Sequence, residues 1–308
     1  MAPDAVIPNS IRFLLGGVSG VGAVCFTQPL DLVKNRMQMS GEGGAAKQYK
    51  NTFHTIYSVA RQEGIFALYN GLSAGALRQA TYTTTRLGIY TLLFDKFTKE
   101  GKSPSFGIKA GIGVCAGAAG AFVGTPAEVA LVRMCLDGKL PLAERRNYQN
   151  ALQAIYRIGA DEGIKTLWRG CMPTVIRAMV VNAAQLATYS QSKQLLIESG
   201  YFRDNILCHF CGSMISGFVT TVVCMPVDIA KTRIQNMRII DGKPEYRNAA
   251  DVWTRVIRNE GIFALWKGFT PSYLRIGPHT VLMFIFLEKL TSLYSIYVLN
   301  IDKKKSLL

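Results

Sequence analysis

The fold class predicted for this chain is an all-α membrane protein with six spanning helices, laid out as three tandem repeats of about one hundred residues each. Three observations carry it: long charge-free stretches, a proline motif that recurs at nearly constant spacing, and a composition that is apolar yet strongly basic. Hydrophobic residues make up 49% of the 308, charged residues 18%, and glycines number 29, while the formal net charge is +15. A soluble protein with that surplus would carry a basic stripe in a recognisable nucleic-acid module. Here the charges sit between apolar segments, as in membrane loops, and no recognition motif appears, so nucleic acid is not an expected partner.

The first helix of each repeat is marked by the absence of charge. Residues Phe13 to Leu30, Ala110 to Ala127 and Asn205 to Val227 contain no Lys, Arg, Asp or Glu. About 20 helical residues cross the hydrocarbon core, so each stretch with its flanks is a span. Each ends in a motif: Pro29-Leu-Asp31-Leu-Val-Lys34-Asn-Arg36, Pro126-Ala-Glu128-Val-Ala-Leu131-Val-Arg133 and Pro226-Val-Asp228-Ile-Ala-Lys231-Thr-Arg233, with prolines 97 and 100 residues apart. Proline removes a backbone donor and kinks the helix, which puts the acid two residues on and the base three beyond it near the kinked end. Gly16-x3-Gly20, Gly113-x3-Gly117 and Ser213-x3-Gly217 stand at matched offsets before these prolines. That spacing lets helix backbones approach closely in a bilayer.

A polar loop and a short amphipathic helix follow each motif. Tyr49-x-Asn51, Tyr148-x-Asn150 and Tyr246-x-Asn248 precede the short helix, and Glu63-Gly64, Glu162-Gly163 and Glu260-Gly261 close it. Tyr69-Asn70-Gly71, Trp168-Arg169-Gly170 and Trp266-Lys267-Gly268 then open a second long helix that runs to about Lys96, Lys193 and Lys289. Isolated arginines interrupt these second helices, so hydropathy ranks them below the first. The chain reads as a single domain, 1–308, with repeats at about 9–99, 106–198 and 204–297. Of the 35 Lys and Arg, 20 fall in the segments that follow the proline motifs, which makes the repeat-internal loops the positive side.

The seven cysteines form an odd set, mostly inside apolar segments, and indicate no disulfide framework. Cys208-x-x-Cys211 beside His209 has no second ligand pair at usable spacing, so no metal is predicted and the cysteines read as helix packing. No nucleophile and base pair marks an enzyme, and no cofactor is expected. The opening MAPDAVIPNS carries Asp4 and has neither the Arg-rich bias of a transit peptide nor the apolar core of a signal peptide, so no cleavable presequence is expected.

The charges inside the second helices define the candidate site. Seven residues after Gly71, Gly170 and Gly268 stand Arg78, Arg177 and Arg275, at one symmetric level. An intramembrane arginine is costly and faces a wet cavity and a partner. Its planar fork of donors matches carboxylate oxygens bidentately. Arg78, Tyr82 and Arg86 fall at i, i+4 and i+8 and form one stripe on a helix face. In the equivalent rows stand Arg177 with Gln185 and Arg275 with His279; Asn182 lies off the stripe, and His279 beside Pro278 reads as packing. Several cations without intramembrane acids predict a doubly negative substrate, and a C4 or C5 dicarboxylate fits.

From Ile11 to Tyr297 these motifs resemble the mitochondrial carrier family. The resemblance implies a six-helix bundle with threefold pseudosymmetry and three short matrix helices, multi-pass in the mitochondrial inner membrane, with both termini in the intermembrane space and a monomer as the working unit. A central cavity would open alternately to either side. Because an empty cavity with unpaired cations should convert reluctantly, strict exchange is the expected mode. The resemblance also implies a matrix gate in which neighbouring first helices pair Asp31, Lys34, Glu128, Asp228 and Lys231, braced by Gln38 and Gln235. Leu131 stands where the second repeat should carry a base and Cys135 where it should carry a glutamine. One bridge and one brace are therefore expected to be missing, and the gate to be comparatively weak. The opposite gate survives in part, as Tyr90-Thr91, Tyr189-Ser190-x-x-Lys193 and Phe286-Leu287-Glu288, from which a full ring cannot form. The turns bearing Gly71, Trp168, Arg169, Gly170, Trp266, Lys267 and Gly268 look like the family's cardiolipin sites, with Asn70 in place of a base in the first.

Within the family, the runs Gln79-Ala-Thr-Tyr82-Thr-Thr-Thr-Arg86-Leu-Gly-Ile-Tyr90, Val181-Asn182-Ala-Ala-Gln185 and Asp204-Asn205-Ile-Leu-Cys208-His209-Phe-Cys211 are similar to members that exchange 2-oxoglutarate for malate. Arg177-Ala178 stands where the nucleotide carriers place glycine and an aliphatic residue. The implied substrate site is Arg78, Tyr82, Arg86, Arg177, Ala178, Asn182, Gln185, Arg275 and His279. The three arginines would bind the two carboxylates, with Tyr82 and Arg86 selecting length and orientation. Dicarboxylate/phosphate exchange and uncoupling-type transport share nearly every motif and stand as the alternatives.

Overall fold

The computed structural model describes residues 9–42, 49, 51–98, 105–140, 145–199, 206–237, 239–240 and 243–297. Each repeat contributes a long helix, a short helix, a 3-10 turn and a second long helix. The first repeat holds α1 (Asn9–Gln38), α2 (Thr52–Gln62) and α3 (Leu72–Phe97); the second holds α4 (Phe106–Asp137), α5 (Ala151–Asp161) and α6 (Cys171–Glu198); the third holds α7 (Ile206–Asn236), α8 (Ala249–Glu260) and α9 (Phe269–Tyr297). A two-residue antiparallel ladder, Ile239–Ile240 with Lys243–Pro244, decorates the third loop. Every repeat therefore gives two long helices, as the threefold motif spacing predicts.

The long helices form a closed ring: α1 packs along α3, α3 along α4, α4 along α6, α6 along α7, α7 along α9, and α9 back along α1. The first helices α1, α4 and α7 also meet one another, and residues 31–38, 128–136 and 228–235 are largely buried. The bundle is thus closed at the end that carries α2, α5 and α8. Large apolar side chains such as Leu14, Phe26, Phe122, Phe218 and Leu274 are exposed on the outside of the long helices, where hydrocarbon replaces water. On hydropathy alone, α4, α7 and α9 each contain a window apolar enough to span. In the first repeat neither helix reaches that level, although α1 is charge-free over 13–30: glycines, Ser19, Thr27 and Gln28 lower its mean hydropathy.

The recurring markers have local physical causes. Asn51, Asn150 and Asn248 cap the short helices: their side-chain oxygens accept from the backbone N–H of His54 (2.8 Å), Gln153 (2.9 Å) and Asp251 (2.9 Å). Such a cap satisfies one of the orphan donors of a helix start. The Glu-Gly pairs end the same helices because Gly64, Gly163 and Gly261 lie at φ +90, +91 and +85, a region that side chains disfavour.

The prolines are tended by tryptophan. A proline inside a helix leaves the carbonyl four residues earlier without its N–H. For Pro126 and Pro226 those carbonyls belong to Phe122 and Val222, and they accept from the indole nitrogens of Trp168 (3.1 Å) and Trp266 (3.0 Å). Tyr69 stands at this place in the first repeat and has no indole to donate.

The small-residue pairs behave differently from their predicted role. Gly20 lies against Gln79 of α3, but Gly16 and Gly113 face open space. In the second repeat close approach is made by Gly120 and Gly124, over which the backbone and ring of Tyr82 lie. The matched spacing locates candidate contact faces; which of them are used depends on how far apart the helices stand at that level.

Candidate functional site

A 220 Å³ cavity within the bundle is lined by Arg78, Tyr82 and Arg86 from α3, Ala121, Gly124 and Glu128 from α4, Thr174, Arg177, Ala178 and Val181 from α6, and Lys231 from α7. The stripe read from the spacing of Arg78, Tyr82 and Arg86 therefore faces one space, with Arg177 and Ala178 opposite. Gly124 makes room for it, since a Cβ there would come within 3.3 Å of the Tyr82 Cβ. Its volume lies just below the usual range of small-molecule pockets, about 300–1,000 Å³.

A smaller cavity of 70 Å³ lies at the closed end, and its lining includes Asp31, Lys34, Leu131, Asp228 and Arg275. The two cavities share Arg78, Glu128, Arg177 and Lys231. The two cavities therefore adjoin: the same side chains form the floor of one and the roof of the other. Of the remaining predicted site residues, Gln185 is exposed and His279 half-buried, and neither lines these cavities. The side chain of Asn182 lies outside the described residues.

Within the gate, Lys34 bonds Asp228 at 2.6 Å, joining the first repeat to the third, and Lys231 bonds Glu128 at 2.5 Å, joining the third to the second. Leu131 leaves Asp31 without the expected base. That acid is paired nonetheless, with Arg275 at 3.1 Å. Arg177 likewise bonds Asp228. Two of the three site arginines are thus engaged by gate carboxylates, which corrects the expectation of a cavity of unpaired cations: helix packing brings α9 and α6 within reach of acids that sequence places on α1 and α7. Arg78 makes no ion pair among the described residues, and its Nε is buried without a partner.

The braces follow the same logic. Gln38 accepts from the Thr232 hydroxyl at 2.7 Å, and Gln235 reaches Glu128 at 3.5 Å. At the Cys135 position a different residue crosses the gap: the Gln28 amide donates to the Asn70 carbonyl at 2.8 Å and reaches the Cys135 sulfur at 3.8 Å. The position of the absent bridge, between the first and second repeats, thus holds no ion pair among the described residues, while Arg275 of the third repeat neutralises Asp31 and Gln28 reaches toward Cys135.

A further ring was present in the motifs but carried no predicted role. The last motif residues, Arg36, Arg133 and Arg233, are almost fully buried, and each pairs with the Glu of its own repeat's Glu-Gly marker: Glu63, Glu162 and Glu260. Each also donates to a carbonyl at the end of the next first helix: Arg36 to Cys135 (3.0 Å), Arg133 to Gln235 (3.4 Å) and Arg233 to Gln38 (3.4 Å). The links run round the closed end from repeat to repeat. Recurrence of both partners in all three copies was the signal available in the sequence.

The Trp-base-Gly turns are bound within the protein at several points. The indoles cap the proline carbonyls, Arg169 lies 3.6 Å from Glu162, and Lys267 bonds Glu260 and the Ser40 carbonyl (2.6 Å). Gly71, Gly170 and Gly268 hold left-handed backbone, with Leu131, Gln235 and Gln38 respectively against them.

The sequence pattern of the family described as mitochondrial carrier protein matches residues 6–101, 102–200 and 202–297. The chain belongs to the mitochondrial carrier family. The carrier is 65% identical over 288 residues to the mitochondrial 2-oxoglutarate/malate carrier protein of Bos taurus, covering 93% of this chain and 92% of that one. It is 61% identical over 307 residues to the Caenorhabditis elegans protein of the same name, covering 100% of both. The mitochondrial uncoupling protein 5 of Arabidopsis thaliana is 40% identical over 306 residues, 92% of this chain and 98% of that one. Like its relatives the carrier is a transporter and not an enzyme, multi-pass in the mitochondrial inner membrane. The closed end is the one that carries the positively charged repeat-internal loops.

Proposed function

We propose that this carrier exchanges 2-oxoglutarate for malate or related dicarboxylates by alternating access, acting as a monomer. The observation that carries the reading is the cavity in which Arg78, Tyr82, Arg86 and Arg177 converge. One carboxylate of the substrate is bound between Arg78 and Arg177; Tyr82 and Arg86, about one and two helical turns away on the same stripe, take the other end and so measure its length. Arg78 is the arginine free to take the first contact, because it has no gate acid. The large identity to carriers named for 2-oxoglutarate and malate, against 40% to an uncoupling protein, favours exchange over proton leak. Around the closed end, the N-termini of α3, α6 and α9 with their glycines offer unpaired N–H groups to lipid phosphate, and cardiolipin is the proposed occupant; the bases Arg169 and Lys267 have surfaces shared with Glu162 and Glu260.

The test is reconstitution into liposomes loaded with 2-oxoglutarate, malate, phosphate or ADP, with uptake of labelled 2-oxoglutarate as the readout. Internal 2-oxoglutarate or malate should drive uptake, and uptake driven only by phosphate or ADP would overturn the assignment. Arg78→Ala should lower exchange to near background with the protein still inserted, and near-normal exchange by that variant would remove the arginine site.

A further inference from the structure

The 220 Å³ cavity is not shared equally by the three repeats. Its lining comes from α3, α4, α6 and Lys231 of α7, with no residue of α1 or α9 among the described residues. Side-chain volume on the first helices follows the same asymmetry. Six, five and two residues before the motif proline, α4 carries Gly120, Ala121 and Gly124, where α1 carries Ala23, Val24 and Thr27 and α7 carries Thr220, Thr221 and Cys224. At each level the second repeat has the smallest residue of the three, and the hollow lies against that repeat. A Cβ on Gly120 would come 3.1 Å from the Tyr82 carbonyl oxygen and 3.2 Å from the Arg86 Cβ, and one on Gly124 would come 3.3 Å from the Tyr82 Cβ. The backbone of α3 therefore stands as close to α4 as the missing side chains allow, and Tyr82 and Arg86 project from that position. Ala121 is buried, lines the cavity and, with Ala178 and Val181 of α6, supplies the apolar part of a lining that is otherwise mostly charged or polar.

We propose, resting on the exchange of 2-oxoglutarate argued above, that α4, which brings no cation to the cavity, sets the chain length of the substrate. Ala121 is the apolar wall against which a five-carbon backbone lies, and Gly120 and Gly124 fix how far Tyr82 and Arg86 stand from that wall. The cations alone select for two carboxylates but not sharply for the distance between them, because an arginine side chain has many rotamers and follows its ligand. Discrimination between chains that differ by one methylene needs a surface that does not yield. In a close-fitting apolar pocket one methylene is worth roughly tenfold to 200-fold in kcat/KM. The backbone and Cβ atoms of two helices packed without intervening side chains make such a surface, since packed interiors yield little. In this scheme Ala121 touches the substrate, while Gly120 and Gly124 are positioning residues that act through α3.

The test is uptake by proteoliposomes of malate, 2-oxoglutarate and 2-oxoadipate, dicarboxylates of four, five and six carbons. The kcat/KM values are compared as ratios within each variant, so that differences in the amount of inserted protein cancel. Ala121→Val places in the second repeat the residue that α1 has at this level, and should lower the 2-oxoglutarate to malate ratio about tenfold, the lower end for one methylene. Ala121→Gly should move selectivity the other way and raise the 2-oxoadipate to 2-oxoglutarate ratio. Gly120→Ala presses α3 away from α4 and should raise that same ratio, which a merely structural role would leave alone. Gly113→Ala, whose Cβ meets open space, should keep both ratios at wild-type values. The proposal is overturned if A121V leaves the 2-oxoglutarate to malate ratio unchanged, if A121V and A121G shift selectivity in the same direction, if G120A leaves the 2-oxoadipate ratio unchanged, or if G113A reproduces the shifts. Should A121V fail to insert, an unchanged 2-oxoadipate ratio in A121G overturns it equally. Absence of 2-oxoglutarate exchange in the wild type would instead overturn the functional reading.

Discussion

A single N–H separates the roles of Trp168 and Trp266 from that of Tyr69. Both indoles donate to carbonyls that the motif prolines leave without a partner, Phe122 and Val222. Trp266→Phe removes the donor and shrinks the indole to a phenyl ring, so the cost should be one unmet hydrogen bond, about 1 kcal/mol, plus the packing lost from the apolar cluster beside α8. We expect the melting temperature of the solubilised protein to fall by a few degrees, with KM for substrate unchanged. Tyr69→Phe should not melt earlier by this route. A change in KM with no change in melting would show that Trp266 acts on the substrate site instead.

At the scale of the elements, the starts of α6 and α9 are pinned by left-handed glycines against which a glutamine brace is packed. A Cβ on Gly170 would come 2.7 Å from Gln235 Cγ, whereas one on Gly268 would lie 3.3 Å from Gln38 Cγ. Both positions have positive φ, +80 and +84, where alanine costs about 1–2 kcal/mol. Gly170→Ala should therefore destabilise more than Gly268→Ala, because it adds displacement of Gln235 from Glu128 to the shared backbone strain. Differential scanning of the two purified variants orders them, and equal losses would mean that the brace yields freely. The helix starts thus couple to the gate through side chains of the neighbouring repeat.

For the whole molecule, the closed end is a cycle of arginines, each fixed by its own repeat's glutamate and reaching into the next repeat. At the C-terminal end of α8, burial works against ionisation of Glu260, but Arg233 and Lys267 outweigh it and hold the carboxyl below its ordinary value of 4.5. Glu162 is lowered from the same value, with burial opposed chiefly by Arg133. A depressed carboxyl stabilises the fold fully above its unfolded pKa and loses that contribution as pH falls through the folded value. The stability gap between wild type and Glu260→Gln should be full at neutral pH and should close as pH drops below about 4. Thermal melts across that range check it, and a gap independent of pH would mean that Glu260 contributes through packing and not through charge.

Much of this was legible in the chain. Charge-free runs gave the first helices, the asparagines and Glu-Gly pairs gave the ends of the short ones, and the i, i+4, i+8 spacing of Arg78, Tyr82 and Arg86 gave one wall of the cavity. Other features were less direct. The low mean hydropathy of α1, α3 and α6 hides three spans, of which the charge-free run recovers α1 and repeat symmetry recovers α3 and α6. Leu131 and Cys135 read as a missing bridge and a missing brace; what the sequence did not show is that Arg275 pairs with Asp31 and that Gln28 reaches toward Cys135. The inward turn of the Trp168 and Trp266 N–H groups to the carbonyls freed by the prolines had no signal in the sequence beyond the recurrence of the residue.

By itself the sequence determined the number of spans, the starts and ends of the short helices and the threefold plan, while α6 and α9 run on to Glu198 and Tyr297, past the lysines at which the pattern placed their ends. Each of these depends on interactions within a few residues of one another or on transfer of a contiguous segment from water to lipid, and both leave a pattern along the chain. The tertiary structure alone decided which cation meets which acid. Asp31 and Arg275 are 244 positions apart and Arg177 and Asp228 are 51 apart. Their pairing depends on the distance between packed helices, where a guanidinium from one repeat reaches a carboxylate that a neighbouring leucine has left unclaimed.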